Sequence, residues 1–148
     1  MSPCRGTTLH QNPTLLKRLD HVSIAVDNIE DGYKIFRNQL GGEIIRKKTM
    51  GYNGTFSWTE LILGGAKIEL IQPEGDNSFV REFLKQGGSR MHHLTFEVEN
   101  LDEAIKILEA RGFKIVGKTM DDPEWKMAFI HPKSAKGVLI QIFEPKAK

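Results

Sequence analysis

The chain has 148 residues, 39% of them hydrophobic and 27% charged, a length and balance that suit one folded unit with a substantial core. Lys and Arg interleave with Asp and Glu to a formal net charge of +2, so nothing points to nucleic acid or a membrane surface as partner. No apolar run approaches the roughly 20 residues of a spanning helix, no signal-peptide core opens the chain, and the lone Cys4 cannot form an internal disulfide; the expectation is a cytoplasmic protein acting on a small molecule.

Residues 1–18 carry Pro3, Gly6 and Pro13 among small polar residues and predict a flexible extension, in which Cys4 and His10 are incidental. A strand follows over 19–26, with His21, Ser23 and Ala25 on one face and Val22, Ile24 and Val26 on the other. Asn28 then caps a helix whose apolar stripe runs through Ile29, Tyr33, Phe36 and Leu40 and which Gly41 and Gly42 close. Strands are predicted over 43–50, 55–63 and 66–71, and a short helix over 78–86 that Gly87 and Gly88 end. The pattern then repeats. A strand over 91–98 sets His93, Thr95 and Glu97 against Leu94, Phe96 and Val98, and strict alternation sends His92 to the face away from His93. Asn100 caps a second helix, with Leu101, Ile105 and Leu108 at helical spacing and Gly112 at its end; strands over 114–119, 126–130 and 138–143 complete the chain.

The two halves match at an offset of 72 positions over two stretches. The stretch His21-Val22-Ser23-Ile24-Ala25-Val26-Asp27-Asn28 lines up with His93-Leu94-Thr95-Phe96-Glu97-Val98-Glu99-Asn100, and Gly65-Ala66-Lys67-Ile68-Glu69-Leu70-Ile71-Gln72-Pro73 with Gly137-Val138-Leu139-Ile140-Gln141-Ile142-Phe143-Glu144-Pro145. Each half is a βαβββ module, 19–73 and 91–145, and the two share one α+β domain, 19–145, about a pseudo-twofold axis. That axis makes His21 the mate of His93 and Glu69 the mate of Gln141, so four potential metal ligands converge. Two histidines and a glutamate at equivalent inward positions would otherwise form an unsatisfied buried cluster.

Three segments carry a resemblance: Leu19-Asp20-His21-Val22-Ser23-Ile24-Ala25-Val26 opening the first module, Met91-His92-His93-Leu94 opening the second, and His131-Pro132-Lys133-Ser134-Ala135-Lys136-Gly137-Val138-Leu139-Ile140 near the end. With the paired modules, they make the chain resemble the vicinal-oxygen-chelate (glyoxalase/bleomycin resistance/dioxygenase) superfamily. Within it the similarity is to the methylmalonyl-CoA epimerases, over about residues 19–145, with glyoxalase I more distant. The resemblance implies two half-barrels forming one cup, a divalent metal at its base held by His21, Glu69, His93 and Gln141, a homodimer, and a small-molecule substrate with acyl-CoA among the candidates. Two neutral imidazoles with oxygen donors suit one borderline divalent ion such as Co, Mn, Ni or Zn, with positions left for two substrate oxygens. The hydrogen next to a carbonyl chelated there becomes removable near neutral pH.

A general base must then stand beside that carbon, and the resemblance assigns this role to Glu60. The family's last-strand ligand is ordinarily a glutamate that also takes part in proton transfer, whereas this chain has Gln141, whose amide can bind a metal but cannot carry a proton. Glu144 and His131 are reserve candidates for that proton. Trp58, Trp125 and Phe56 are expected to wall the cup, and Arg90, Lys133 and Lys136 to be available to a carboxylate or a CoA phosphate. Three readings follow: a metal-dependent epimerase or isomerase, a glyoxalase I-like lyase working with one base, and a non-catalytic small-molecule-binding protein of the same fold.

Overall fold

Alternating polarity in the strands and capped amphipathic helices build the two modules in the computed structural model, which describes residues 15–147. The first module holds β1 (Arg18–Ala25), α1 (Ile29–Tyr33), β2 (Glu43–Met50), β3 (Phe56–Leu63) and β4 (Ala66–Pro73). After the linker helix α2 (Phe79–Lys85), the second holds β5 (Arg90–Glu97), α3 (Leu101–Ala110), β6 (Ile115–Thr119), β7 (Trp125–Ile130) and β8 (Ile140–Pro145). All eight strands form one sheet in the order β2-β3-β4-β1-β5-β8-β7-β6. β1 runs parallel to β4 and β5 parallel to β8, while the antiparallel pair β1–β5 is the seam between the modules. The register repeats the sequence symmetry: Ser23 lies opposite Glu69 in one half and Thr95 opposite Gln141 in the other. Among the described residues no helix is long and apolar enough to cross a membrane.

Each helix seals one side of its own module. Ile29 and Tyr33 pack with Val26, Leu61 and Leu70, and in the second half Leu101, Ala104, Ile105 and Leu108 pack with Val98, Ala128, Ile130 and Ile142. Both helix starts are built alike. Asn28 Oδ1 accepts from Glu30 N (2.8 Å) and Asn100 Oδ1 from Glu103 N (2.9 Å). The first helical N–H groups are capped from the sheet, Ile29 N by Gln72 Oε1 (2.7 Å) and Leu101 N by Glu144 Oε1 (2.9 Å). Gly32 lies so close to β4 that a Cβ there would meet Leu70 Cδ1 at 2.6 Å.

The structure departs from the sequence expectations in a few places. α1 ends in a π-helical stretch, Lys34–Gln39, with Leu40 N bonded to Ile35 O (2.9 Å). Gly42 then donates to Phe36 O at 2.8 Å, an approach a side chain would block because its Cβ would lie 2.6 Å from that oxygen. β8 begins at Ile140 rather than 138, because Gly137 N and Val138 N are taken by Pro132 O and Ala135 O in the turn that follows the 3₁₀ segment Pro132–Ser134. Most of the extension expected over 1–18, with Cys4 and His10, lies outside the described residues. Its last residues belong to the fold: Leu15 and Leu16 pack on the second core, and Lys17 N donates to Glu97 O (2.7 Å).

The seam carries two irregularities that matter for the site. β1 pairs Leu19 with Phe96 and then His21 with Thr95, leaving Asp20 as an extra residue; β5 pairs His93 with Ser23 and then Met91 with Ile24, leaving His92 as an extra residue. These β-bulges stand 72 positions apart and re-aim the side chains at 20 and 92.

Candidate metal centre

The inward positions of β1, β4 and β5 bring His21, Glu69 and His93 together on the sheet face opposite α1 and α3. Potential ligand atoms of the three lie within 4.8 Å of one another. Glu69 Oε1 stands 3.5 Å from His21 Nε2 and 3.8 Å from His93 Nε2, and the two imidazole centroids are 6.0 Å apart. All three residues are buried. Among the described residues neither Nε2 atom has a hydrogen-bond partner or access to solvent, and the same holds for Ser23 Oγ. Orphaned polar atoms of this kind are costly in a folded protein, and a cation between the rings would satisfy them. The donor set therefore fits a borderline divalent ion.

Gln141 lines the same cavity from β8. Its Oε1 accepts from Thr95 Oγ1 (2.8 Å) and its Nε2 lies 3.2 Å from Met127 Sδ, which leaves Oε1 one lone pair for a further partner.

The Nδ1 sides of the rings are held differently. His21 Nδ1 meets Asp20 Oδ2 at 2.7 Å, and His93 Nδ1 meets His92 Nδ1 at 2.8 Å. Burial works against a charged His21, but the carboxylates of Asp20 and Glu69 outweigh it and push its pKa up to about 9. A proton and a divalent cation thus compete for the same lone pair. Burial dominates at His93, aided by the neighbouring imidazoles and opposed by Glu69, and takes its pKa down to about 3. Asp20 is also partly desolvated, yet His21, Lys67 and Arg18 hold its carboxyl well below the usual carboxylate range. Glu69 behaves likewise: burial opposes its charge, and His21 and His93 override it.

Glu60 enters from β3, directly across the ladder from Glu69. Its carboxylate is raised above the ordinary range by burial, with Glu69 adding and Lys67 opposing. Lys67 Nζ and Arg46 Nε both approach it at 3.9 Å, and Arg46 also lies over the Trp58 ring, 4.5 Å from the centroid. The equivalent position on β7, opposite Gln141, is Phe129, whose ring stands edge-on to His93 at 5.8 Å. The cavity between these walls has a volume of about 660 Å³, a size that suits a small ligand. Around the histidines, Asp20, Glu60, Lys67 and Glu69 line the first-module side, while Trp125, Met127, Phe129 and Phe143 line the second-module side together with Gln141.

Other residues singled out in the sequence fall into place. Trp58 and Phe56 line the cavity with Trp125, and the two indoles meet edge to face at 5.9 Å. Glu144 points away from the cavity to cap α3 and pairs with Lys126 (3.5 Å), so it is not placed to serve as a base. His131 Nδ1 accepts from Lys133 N (3.0 Å) and caps the 3₁₀ turn. Arg90 is a structural clamp, donating to Phe83 O and Gly88 O with its guanidinium 3.8 Å from the Phe83 ring centroid. His92 departs from the expectation, since the bulge turns it to the cavity side instead of the opposite face. One sequence signal was available for it: a polar residue precedes the inward histidine in both copies, Asp20 and His92.

Comparison with known proteins agrees with this architecture. A profile of the Glyoxalase/Bleomycin resistance protein/Dioxygenase superfamily matches residues 20–129. The mitochondrial methylmalonyl-CoA epimerase of Dictyostelium discoideum is 32% identical over 132 residues, covering 86% of this chain and 78% of the relative. The ethylmalonyl-CoA/methylmalonyl-CoA epimerase of Cereibacter sphaeroides is 31% identical over 134 residues, covering 86% and 98%. The crystal structure of methylmalonyl-CoA epimerase from Mycobacterium tuberculosis superposes with a TM-score of 0.81 at 29% identity, covering 93% of this chain and 95% of that one.

Proposed function

The chain belongs to the Glyoxalase/Bleomycin resistance protein/Dioxygenase superfamily, and from that premise we propose that it is a metal-dependent isomerase of the methylmalonyl-CoA epimerase kind, removing the hydrogen beside the carbonyl of an acyl-CoA. The observation that carries this reading is the pair of buried, partnerless Nε2 atoms of His21 and His93, turned with Glu69 toward a cavity of substrate size.

His21, His93 and Glu69 would hold the ion, with Gln141 Oε1 as a fourth donor. When bound, a divalent ion acts as a Lewis acid on a chelated carbonyl and acidifies the neighbouring C–H. Glu60 takes that proton: burial lifts its pKa toward the range useful to a general base, while Lys67 and Arg46 favour its carboxylate form. Returned by the Glu60 acid to the same face, that proton restores the starting configuration, so inversion requires that the planar carbon be protonated from its opposite face. Assembly as a homodimer in the cytoplasm belongs to the same proposal.

The asymmetry of the walls favours a second reading within the same chemistry. Phe129 and Gln141 stand where Glu60 and Glu69 stand in the first half, and neither carries a proton. A single-base isomerase or glyoxalase-like lyase needs no proton carrier on that side, whereas a two-base epimerase does.

Elemental analysis of the purified protein, together with proton–deuterium exchange at C2 of both methylmalonyl-CoA epimers and a panel of other acyl-CoAs, tests the proposal. One bound ion per chain with exchange and inversion supports the epimerase. Exchange with retention points to the single-base reading, and a bound ion with no exchange on any acyl-CoA leaves the binding protein.

A further inference from the structure

The two seam bulges do the same thing in both halves, with different chemistry. Each supplies one extra residue immediately before an inward histidine, and each extra side chain meets that histidine at Nδ1: Asp20 on His21 at 2.7 Å, His92 on His93 at 2.8 Å. An imidazole that offers its Nε2 lone pair to a cation keeps its proton on Nδ1, so the group facing Nδ1 decides which nitrogen is free. Asp20 is an acceptor only, and the His21 Nδ1–H donates to it. Between His92 and His93, by contrast, one ring has to donate and the other accept.

Two observations decide the direction. Among the described residues His93 Nε2 is buried with no partner at hydrogen-bond distance, and Glu69 Oε1 is 3.8 Å away, so a proton on Nε2 would be a buried donor with no acceptor as close as the one that His92 offers Nδ1 at 2.8 Å. The His92 ring is wedged between two α2 aromatics, with centroids 4.6 Å from Phe83 and 5.6 Å from Phe79, which fixes its Nδ1 toward His93. We infer that His92 is a positioning residue: its Nδ1 accepts the Nδ1–H of His93 and so keeps the His93 Nε2 lone pair turned into the cavity. The inference rests on the metal reading above for its consequence, though not for its geometry. It also gives α2 a role, since the linker helix supplies the aromatic clamp that orients His92.

Histidine-selective ¹⁵N NMR on the metal-free protein reads the tautomer directly. The expected spectrum has His93 protonated at Nδ1 and bare at Nε2; protonation at Nε2 in the wild type overturns the inference. Zn²⁺ titration then compares His92→Leu, which keeps bulk without an acceptor, with His92→Asn, whose Oδ1 takes the place of Nδ1. Zn²⁺ affinity should fall about 10–100-fold in His92→Leu and be largely retained in His92→Asn. Equal affinities in the two variants overturn it. Should His92→Leu fail to fold, the wild-type tautomer decides. A wild type that takes up no Zn²⁺ refutes the metal reading, and the tautomer still decides the role of His92.

Discussion

At the scale of single residues, the four inward positions carry two histidines, one acid and one amide, and three of them, with Glu60 beside them, make distinct predictions. His21→Ala should take the metal content from one ion per chain to none, because the two remaining first-choice donors cannot hold a borderline cation alone; elemental analysis of the variant reads this directly. Gln141→Glu should tighten Zn²⁺ binding by adding charge to the donor set, and Glu69→Gln should weaken it. The double variant Glu69→Gln/Gln141→Glu merely exchanges the donors across the seam, so its affinity should return close to that of the wild type in calorimetric titration. Glu60→Gln should leave Zn²⁺ affinity nearly unchanged while slowing C2 exchange by about 10²–10⁴-fold, the usual contribution of a general base. His21, Glu69 and His93 were legible in the sequence because a strand period of two and a repeat at a fixed offset in the first and last strands of each module point them at one another. His92 was not, because a bulge inserts a residue into the ladder and reverses the face on which alternation places it.

Among the elements, the strands and the helix starts were legible for the same reason: alternation and Asn caps are local signals, and local geometry obeys them in both halves. The π-helical end of α1 was not, since it depends on Gly42 closing against Phe36 O, a contact set by how the chain turns into β2. Nor did any local pattern show that Gln72 and Glu144, mates in the repeat, cap the helices of their own modules from the sheet. Glu144→Ala should therefore cost about 1 kcal/mol of stability in chemical denaturation, with metal content unchanged. Gly32→Ala tests the packing of α1 on β4. The new methyl group improves helix propensity but meets the buried Leu70 side chain, and overpacking of this kind costs typically about 1–3 kcal/mol, so the melting temperature should fall.

For the molecule as a whole, the site sits astride the β1–β5 seam, with His21 and Glu69 from one module and His93 and Gln141 from the other. An ion there ties the halves together, and removing it with a chelator should lower the melting temperature; saturation at a thousandfold excess over Kd is worth about 4 kcal/mol. A calorimetric scan with and without chelator checks this. The register match of Glu69 and Gln141 also has a consequence for how such sites change over generations. A doubled half offers two addresses for each kind of ligand, and an ion responds to the summed charge of its donors far more than to which half supplies it. A glutamate lost from one copy can thus be made good by a glutamate gained in the other. The chemistry asks only that the inventory of the pair be kept, so an amide at one corner is not by itself the mark of a dead site.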